Sequence, residues 1–207
     1  TVDQAAAVTN LGTKFKENSE ITSFDELKYF NSIKSTNNIP GINAAAFSEC
    51  TSLVSITIPE SCKTIGYGCF FNNSSLESLV LPNAVDTIEG HICRGCTKLS
   101  NVILSENLQS ISSNAFNGCV SLVSIVIPAS VLSIDFSFGS SGLKYAYMKS
   151  ILPPTVQPLK YSMNGDNLVA IYVPVGSLST YRTATNWSAY ANKIVEYDFD
   201  ENPDNVR

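Results

Sequence analysis

The string Leu53-Val54-Ser55-Ile56-Thr57-Ile58-Pro59 returns 23 residues later as Leu76-Glu77-Ser78-Leu79-Val80-Leu81-Pro82. It returns again at the same interval as Leu99-Ser100-Asn101-Val102-Ile103-Leu104-Ser105 and as Leu122-Val123-Ser124-Ile125-Val126-Ile127-Pro128. A fifth copy begins at Leu143 after a two-residue contraction (Leu143-Lys144-Tyr145-Ala146-Tyr147-Met148). A sixth, Leu168-Val169-Ala170-Ile171-Tyr172-Val173-Pro174, follows 25 residues later. Upstream of each string, Ile42, Ile65, Ile88, Ile111 and Ile134 form one column, and Phe47, Phe70, Cys93 and Phe116 another. Phe24, Leu27, Phe30 and Ile33 keep the phase of Phe47, Cys50, Leu53 and Ile56. A unit this short cannot bury its apolar face alone, so the units must stack and seal one another.

Within each unit, Ile56-x-Ile58 and its equivalents alternate, which reads as a short strand with its apolar side inward. The Pro that follows ends the strand where a missing N–H is tolerable. A second short extended piece is expected around Ile65 and its column. Parallel strands in adjacent coils lie about 4.8 Å apart, so six coils give a stack of about 30 Å.

The pattern Ala46-Phe47-x-x-Cys50-x-x-Leu53-x-Ser55-Ile56-x-Ile58-Pro59-x-Ser61-x-x-x-Ile65-Gly66 resembles the BspA-like leucine-rich repeat, a bacterial class with a 23-residue unit. The resemblance runs over roughly residues 24 to 174. Its departures are local: Cys93 stands for Phe, Asn73 and Gly142 for Cys, and Ser105 and Lys149 for Pro. The resemblance implies secreted or surface-attached bacterial proteins, some of them adhesins for host proteins, without specifying a ligand. The expected fold is an α+β repeat protein: a β-rich leucine-rich-repeat solenoid of about six 23-residue coils with helical N- and C-terminal caps.

The ends of a solenoid must be covered. Ala5-Ala6-Ala7-Val8 with Leu11 and Phe15 reads as an amphipathic helix, and Ser23-x-x-Glu26 as a capping box opening a short helix through Leu27 and Phe30. At the other end, Ser177 is placed to cap a helix carrying Leu178 and Tyr181, and Trp187 to plug the core. The expected division is a helical cap over 1–23, repeats over 24–174, a closing cap over 175–197 and an acidic tail or linker over 198–207. The chain starts at Thr1 with no signal-like segment, so a removed signal or an excised fragment is expected. The N-terminal stretch also resembles the segment that follows a small calcium-loop helix in related surface proteins, but the acidic loop is missing and no metal is carried over.

Composition narrows the chemistry. Charged residues are only 15% of the 207, with Lys+Arg 13 against Asp+Glu 18 and no basic cluster to track a phosphate backbone, so nucleic acid is not expected as a partner. No run approaches the roughly 18 apolar residues of a membrane-spanning helix. His91 is the single histidine; it falls in a variable turn column with Ala45, Gly68, Asn114 and Ser137, without a nucleophile or orienting partner, so an enzyme is not expected. Cys93-Arg94-Gly95-Cys96 has redox or half-zinc spacing, yet Cys93 sits in the Phe column and Cys96 in that of Cys50 and Cys119. All six cysteines (50, 62, 69, 93, 96 and 119) therefore read as buried free thiols, with Cys96 and Cys119 the pair to inspect for a bridge. Asp198-x-Asp200-x-Asn202 lacks the glycine and closing Glu of a calcium loop, so no cofactor and no metal is expected. The sequons at Asn72, Asn73 and Asn186 read as exposed turns.

One outward column is more informative. Between the inward pair of each strand lie Thr57, then Val80, Ile103, Val126, Tyr147 and Tyr172, flanked by Ser55, Ser78, Asn101, Ser124 and Tyr145. β-branched residues suit strands wherever they point. An apolar strip that turns aromatic also suits a contact site, because tyrosine offers wide area with a hydrogen-bonding tip. Val80, Ile103, Val126, Tyr145, Tyr147 and Tyr172 are the candidate binding residues of a non-catalytic adhesion module, extracellular or at the cell surface. Its expected partner is a host, extracellular-matrix or other surface protein. A structural spacer and a carbohydrate-binding module taking a glycan on the tyrosines are the alternatives.

Overall fold

The computed structural model describes residues 1–35 and 38–201, and its strands pair in parallel in five short sheets that line up as two ladders. The longer ladder holds β1 (Ser23–Phe24), β3 (Ser55–Ile56), β5 (Ser78–Val80), β7 (Asn101–Ile103), β9 (Ser124–Ile127), β11 (Tyr145–Met148), β13 (Ala170–Pro174) and β14 (Ile194–Tyr197). The shorter holds β2 (Gly41–Ile42), β4 (Thr64–Ile65), β6 (Thr87–Ile88), β8 (Ser110–Ile111), β10 (Ser133–Ile134) and β12 (Thr155–Val156). From β2 to β13 the rungs alternate between the two ladders, while β1 and β14 extend the longer one alone. The register follows the repeat: Leu79 lies beside Val102, Ile65 beside both Ile42 and Ile88, and Ile134 beside Ile111. Where strand pairing lapses, loop hydrogen bonds continue the stack, as from Glu77 N to Val54 O (3.2 Å) and from Gln109 N to Asp86 O (3.1 Å).

The columns read from the sequence are the core. Leu53, Leu76, Leu99, Leu122 and Leu143 are fully buried, as are Phe47, Phe70 and Phe116. Each such side chain contributes about 1.5–3 kcal/mol by leaving water. Phenylalanine rings stack along the axis: Phe15 on Phe47 (5.2 Å), Phe47 on Phe70 (5.9 Å) and Phe116 on Phe138 (5.3 Å). Cys93 occupies the interval between Phe70 and Phe116.

Two turn columns repeat as well. Ala45, Gly68, His91 and Asn114 have left-handed backbone, and so do Glu49, Asn72, Gly95 and Gly118. This explains why Gly and Asn recur there, since they take that conformation at least cost.

The first coil departs from the expected phase. Phe24 pairs with Ile56, 32 residues on rather than 23. A 3-10 helix (Asp25–Tyr29) and a chain reversal bridging Lys34 to Pro40 are inserted between β1 and β2. Ile33, which keeps the phase of Ile56, is buried inside this insertion and takes no rung. The preceding segment forms a coil, not a helix: Phe15 stacks on Phe47, and Glu17 N donates to Ser48 O at 2.8 Å. The expected helix through Leu11 and Phe15 shrinks to α1 (Val2–Ala6), which has no buried residue. At this end Leu11 and Leu27 are buried, and Phe15, Phe24 and Phe30 pack against the core. Ser23 belongs to β1, and the 3-10 helix begins without a side-chain cap.

At the far end, α2 (Leu159–Ser162) lies between β12 and β13, and α3 (Leu178–Thr183) follows β13. Ser177 stands at the N-cap of α3, but its hydroxyl donates to Pro174 O (2.6 Å) instead of accepting from the helix. Trp187 is buried edge-on against Tyr181 (5.1 Å), and its indole N–H donates to Pro154 O (3.0 Å). A further 3-10 turn (Ser188–Lys193) leads into β14, so the closing segment ends as another rung and not as a helix. The tail from Asp198 is described only to Glu201; its remainder lies outside the described residues.

Candidate binding face

Strand pleating decides which residues face out. In β9, Ile125 and Ile127 are buried while Ser124 is exposed and Val126 half-buried. In β11, Ala146 and Met148 are buried while Tyr145 and Tyr147 are half-buried. Parallel register aligns the outward residues: Val80 beside Ile103, Val126 beside Tyr147, Tyr147 beside Tyr172, and Tyr172 beside Val195. Val80 and Ile103 remain 47% and 50% exposed, so the middle of the column is an open apolar surface. Its first member is polar in use, because the Thr57 hydroxyl donates to Asp25 Oδ1 (3.0 Å).

Toward the last coils the column becomes an aromatic cluster. Rung spacing is close to ring-stacking distance, so successive tyrosines pack face to face. Tyr147 lies 4.6 Å from Tyr172 and nearly parallel to it, and Tyr145 lies 6.5 Å from Tyr172. Tyr197 meets Tyr147 at 5.4 Å and Tyr172 at 5.3 Å, and Phe199 meets Tyr197 at 5.0 Å. Burial pushes the Tyr147 phenol above its ordinary range, helped by Tyr172, Tyr197 and Tyr145, so it is uncharged at neutral pH. Beside the cluster is an open recess of about 590 Å³ bounded by Lys149, Pro174, Tyr197 and Phe199. Lys149 is held there by Glu106 (2.7 Å).

Tyr197 and Phe199 were not among the residues singled out from the sequence. The signal was present: Ile194 follows Ile171 by one repeat length and pairs with it. The intervening helical segment breaks the run of columns and hides that rung.

The other sequence features take structural positions. All six cysteines are buried and unbridged. The Cys96 and Cys119 thiols donate to carbonyls of the preceding coil, Phe70 O (3.0 Å) and Cys93 O (3.1 Å). Cys50 does the same to Phe15 O (2.9 Å). The column thus uses cysteine as a small donor as well as an apolar filler. Burial pushes the Cys62 thiol up to about 12 and those of Cys69 and Cys93 well above the ordinary range, against the thiolate that redox or metal chemistry requires. Among the described residues no group of His, Cys, Asp and Glu is arranged to hold a metal ion.

His91 stacks on Tyr67 (4.8 Å), with Nε2 3.2 Å from the Asn114 amide. Partial burial, and secondarily Arg94, lower its pKa. Of the sequons, Asn72 is exposed, whereas Asn73 is fully buried and Asn186 donates to Val156 O (2.8 Å). The expectation of exposed turns fails at Asn73 because it fills the inward cysteine column.

The family described as BspA type leucine rich repeat region matches residues 18–143 in six copies. A crystal structure of a leucine-rich repeat protein from Bacteroides ovatus is similar, with 21% identity, a TM-score of 0.56, and coverage of 74% of this chain and 41% of that one. The chain therefore spans less than half the length of that protein. A T. pallidum leucine rich repeat protein is similar with 22% identity, a TM-score of 0.50, and coverage of 77% and 75%. At these identities the likeness extends to the fold. No curated protein matches the chain. No helix among the described residues is long and apolar enough to cross a membrane.

Proposed function

Because this chain belongs to the BspA type leucine rich repeat family, we propose that it is a non-catalytic protein-binding module of a bacterial surface or secreted protein. The outward face of the longer ladder holds the partner, a host, matrix or envelope protein. Residues 24–174 carry most of the contact face, with 1–23 and 175–197 closing its two ends, the second also adding Tyr197 to that face.

One observation carries this reading: equivalent outward positions of successive coils are apolar, with Val80 paired beside Ile103 and Val126, Tyr147 and Tyr172 paired in a row, and Val80 and Ile103 are about half exposed. Exposed contiguous apolar surface favours association, and stacked tyrosines combine wide contact area with polar tips and little entropy to lose. Their rigidity comes from the ladder beneath them, so binding orders few new side chains.

The test is capture of the purified chain on immobilised extracellular-matrix proteins, compared with a Tyr145→Ala/Tyr147→Ala/Tyr172→Ala variant. At least tenfold weaker binding with an intact fold by circular dichroism supports the reading. Equal binding by the variant, or no binding by either chain, contradicts it, and the second result favours a spacer.

A further inference from the structure

A second recess, of about 740 Å³, lies among the turns that lead from the short ladder to the long one and shares no residue with the tyrosine strip. Two similar turns border it. Asn114 and Asn164 both have left-handed backbone (φ 58° and 54°). Each side-chain oxygen accepts from the amide of the asparagine three residues on, Asn117 (3.2 Å) and Asn167 (3.0 Å). This fixes the outer amides. Among the described residues the Asn117 and Asn167 side-chain oxygens receive no hydrogen bond.

Between the turns stand two exposed rings. Phe136 is 42% and Tyr161 53% exposed, and their centroids are 6.3 Å apart at a tilt of 48°. Phe136 is unusual twice over, being a bulky aromatic that is both solvent-facing and left-handed (φ 39°). Neither property favours folding, and strain of this kind concentrates where a chain binds something. Among the lining residues one cation and one anion cancel: Lys160 pairs with Asp166 (3.2 Å), whose other oxygen accepts from the Tyr190 hydroxyl (2.8 Å), while Lys193, outside the lining, is taken up by the Gly165 and Asp166 carbonyls (3.0 and 3.2 Å).

From these features we infer that this recess is a binding site for a neutral oligosaccharide. Sugar rings present apolar C–H faces that lie against aromatic rings, and vicinal hydroxyls that both donate and accept. Pre-oriented amides, each with a donor and an acceptor, answer the hydroxyls. The balanced charge gives an anionic chain no advantage. A proline-rich peptide would use the rings and offer carbonyls to the amide N–H groups, but it is short of the donors that the Asn117 and Asn167 oxygens call for. The site is independent of the proposed protein-binding face.

The test is native affinity electrophoresis of the purified chain through gels containing xyloglucan, galactomannan or laminarin, with heparin and a proline-rich peptide as comparators. Variants Tyr161→Ala and Asn117→Ala are run beside Tyr147→Ala, with melting measured for each. The expected result is retardation by at least one neutral polysaccharide. It weakens at least tenfold in Tyr161→Ala and Asn117→Ala at unchanged melting, and persists in Tyr147→Ala. The inference is overturned by absence of retardation in all three neutral gels or by binding to heparin or the peptide alone. Loss in Tyr147→Ala with retention in Tyr161→Ala overturns it too.

Discussion

Asn73 accepts a hydrogen bond from the backbone N–H of Cys50, 2.9 Å away in the preceding coil. It is fully buried, and its Nδ2 has no hydrogen-bond partner among the described residues. Asn73→Ala leaves the Cys50 N–H to find another acceptor and opens a small void, at a cost of about 1–3 kcal/mol. Urea unfolding of the two chains measures it. Unchanged stability would show that the buried amide contributes nothing to the join between these coils.

Glu49 holds a left-handed backbone with φ 62° where the next coils but one use Gly95 and Gly118. Glu49→Gly relieves that conformation and is expected to raise stability by about 0.5–1 kcal/mol, after the glycine's unfolded-state entropy is counted. The reciprocal Gly95→Ala is expected to destabilise, because φ is +79° and a Cβ there collides with the Asn72 side chain. Opposite shifts in denaturation midpoint are the check.

His91 gives the fold a pH dependence near neutrality. Its folded pKa is lowered by burial and Arg94, so the unfolded chain binds its proton more readily. The contribution is present above the unfolded value of about 6.5 and is lost as pH falls through the lower folded value. Melting temperature should therefore drop between pH 7 and pH 5. His91→Asn, which suits the left-handed turn, should remove that slope.

Tyr197 joins the aromatic cluster from the last rung, touching both Tyr147 and Tyr172. Aromatic pairs contribute about 0.5–1.5 kcal/mol beyond buried area. Tyr197→Ala is expected to destabilise the last coils by that order and to weaken partner capture. Hydrogen exchange localised to β13 and β14 measures the first effect, and the matrix-capture assay the second.

The repeated part of the fold was legible because inward positions of identical coils have to be apolar, and Leu53, Leu76, Leu99 and Leu122 say so in sequence order. The first coil was not, because Ile33 matches the period by phase alone while Phe24 takes the rung beside Ile56. The inserted 3-10 helix and reversal supply apolar residues at helix-like spacing, which is what a cap also looks like. Asn73 looked like a surface turn because it is polar and lies in a sequon, although it stands in the column of the buried Cys50, Cys96 and Cys119. The outward column was readable from strand alternation, whereas the ring contacts and the place of Tyr197 depend on how α3 and the turn after it return the chain to the ladder. The asparagines of the second recess were hidden in turn chemistry, since Asn is expected wherever a left-handed residue is needed.

The most direct test of the binding face is hydroxyl-radical footprinting of the chain with and without a captured matrix protein. The account predicts protection of Tyr145, Tyr147, Tyr172 and Tyr197 as one contiguous set, extending to Ile103 and Val80. Unchanged reactivity of those tyrosines, with protection confined to the short-ladder side around Tyr67 and His91, would contradict it.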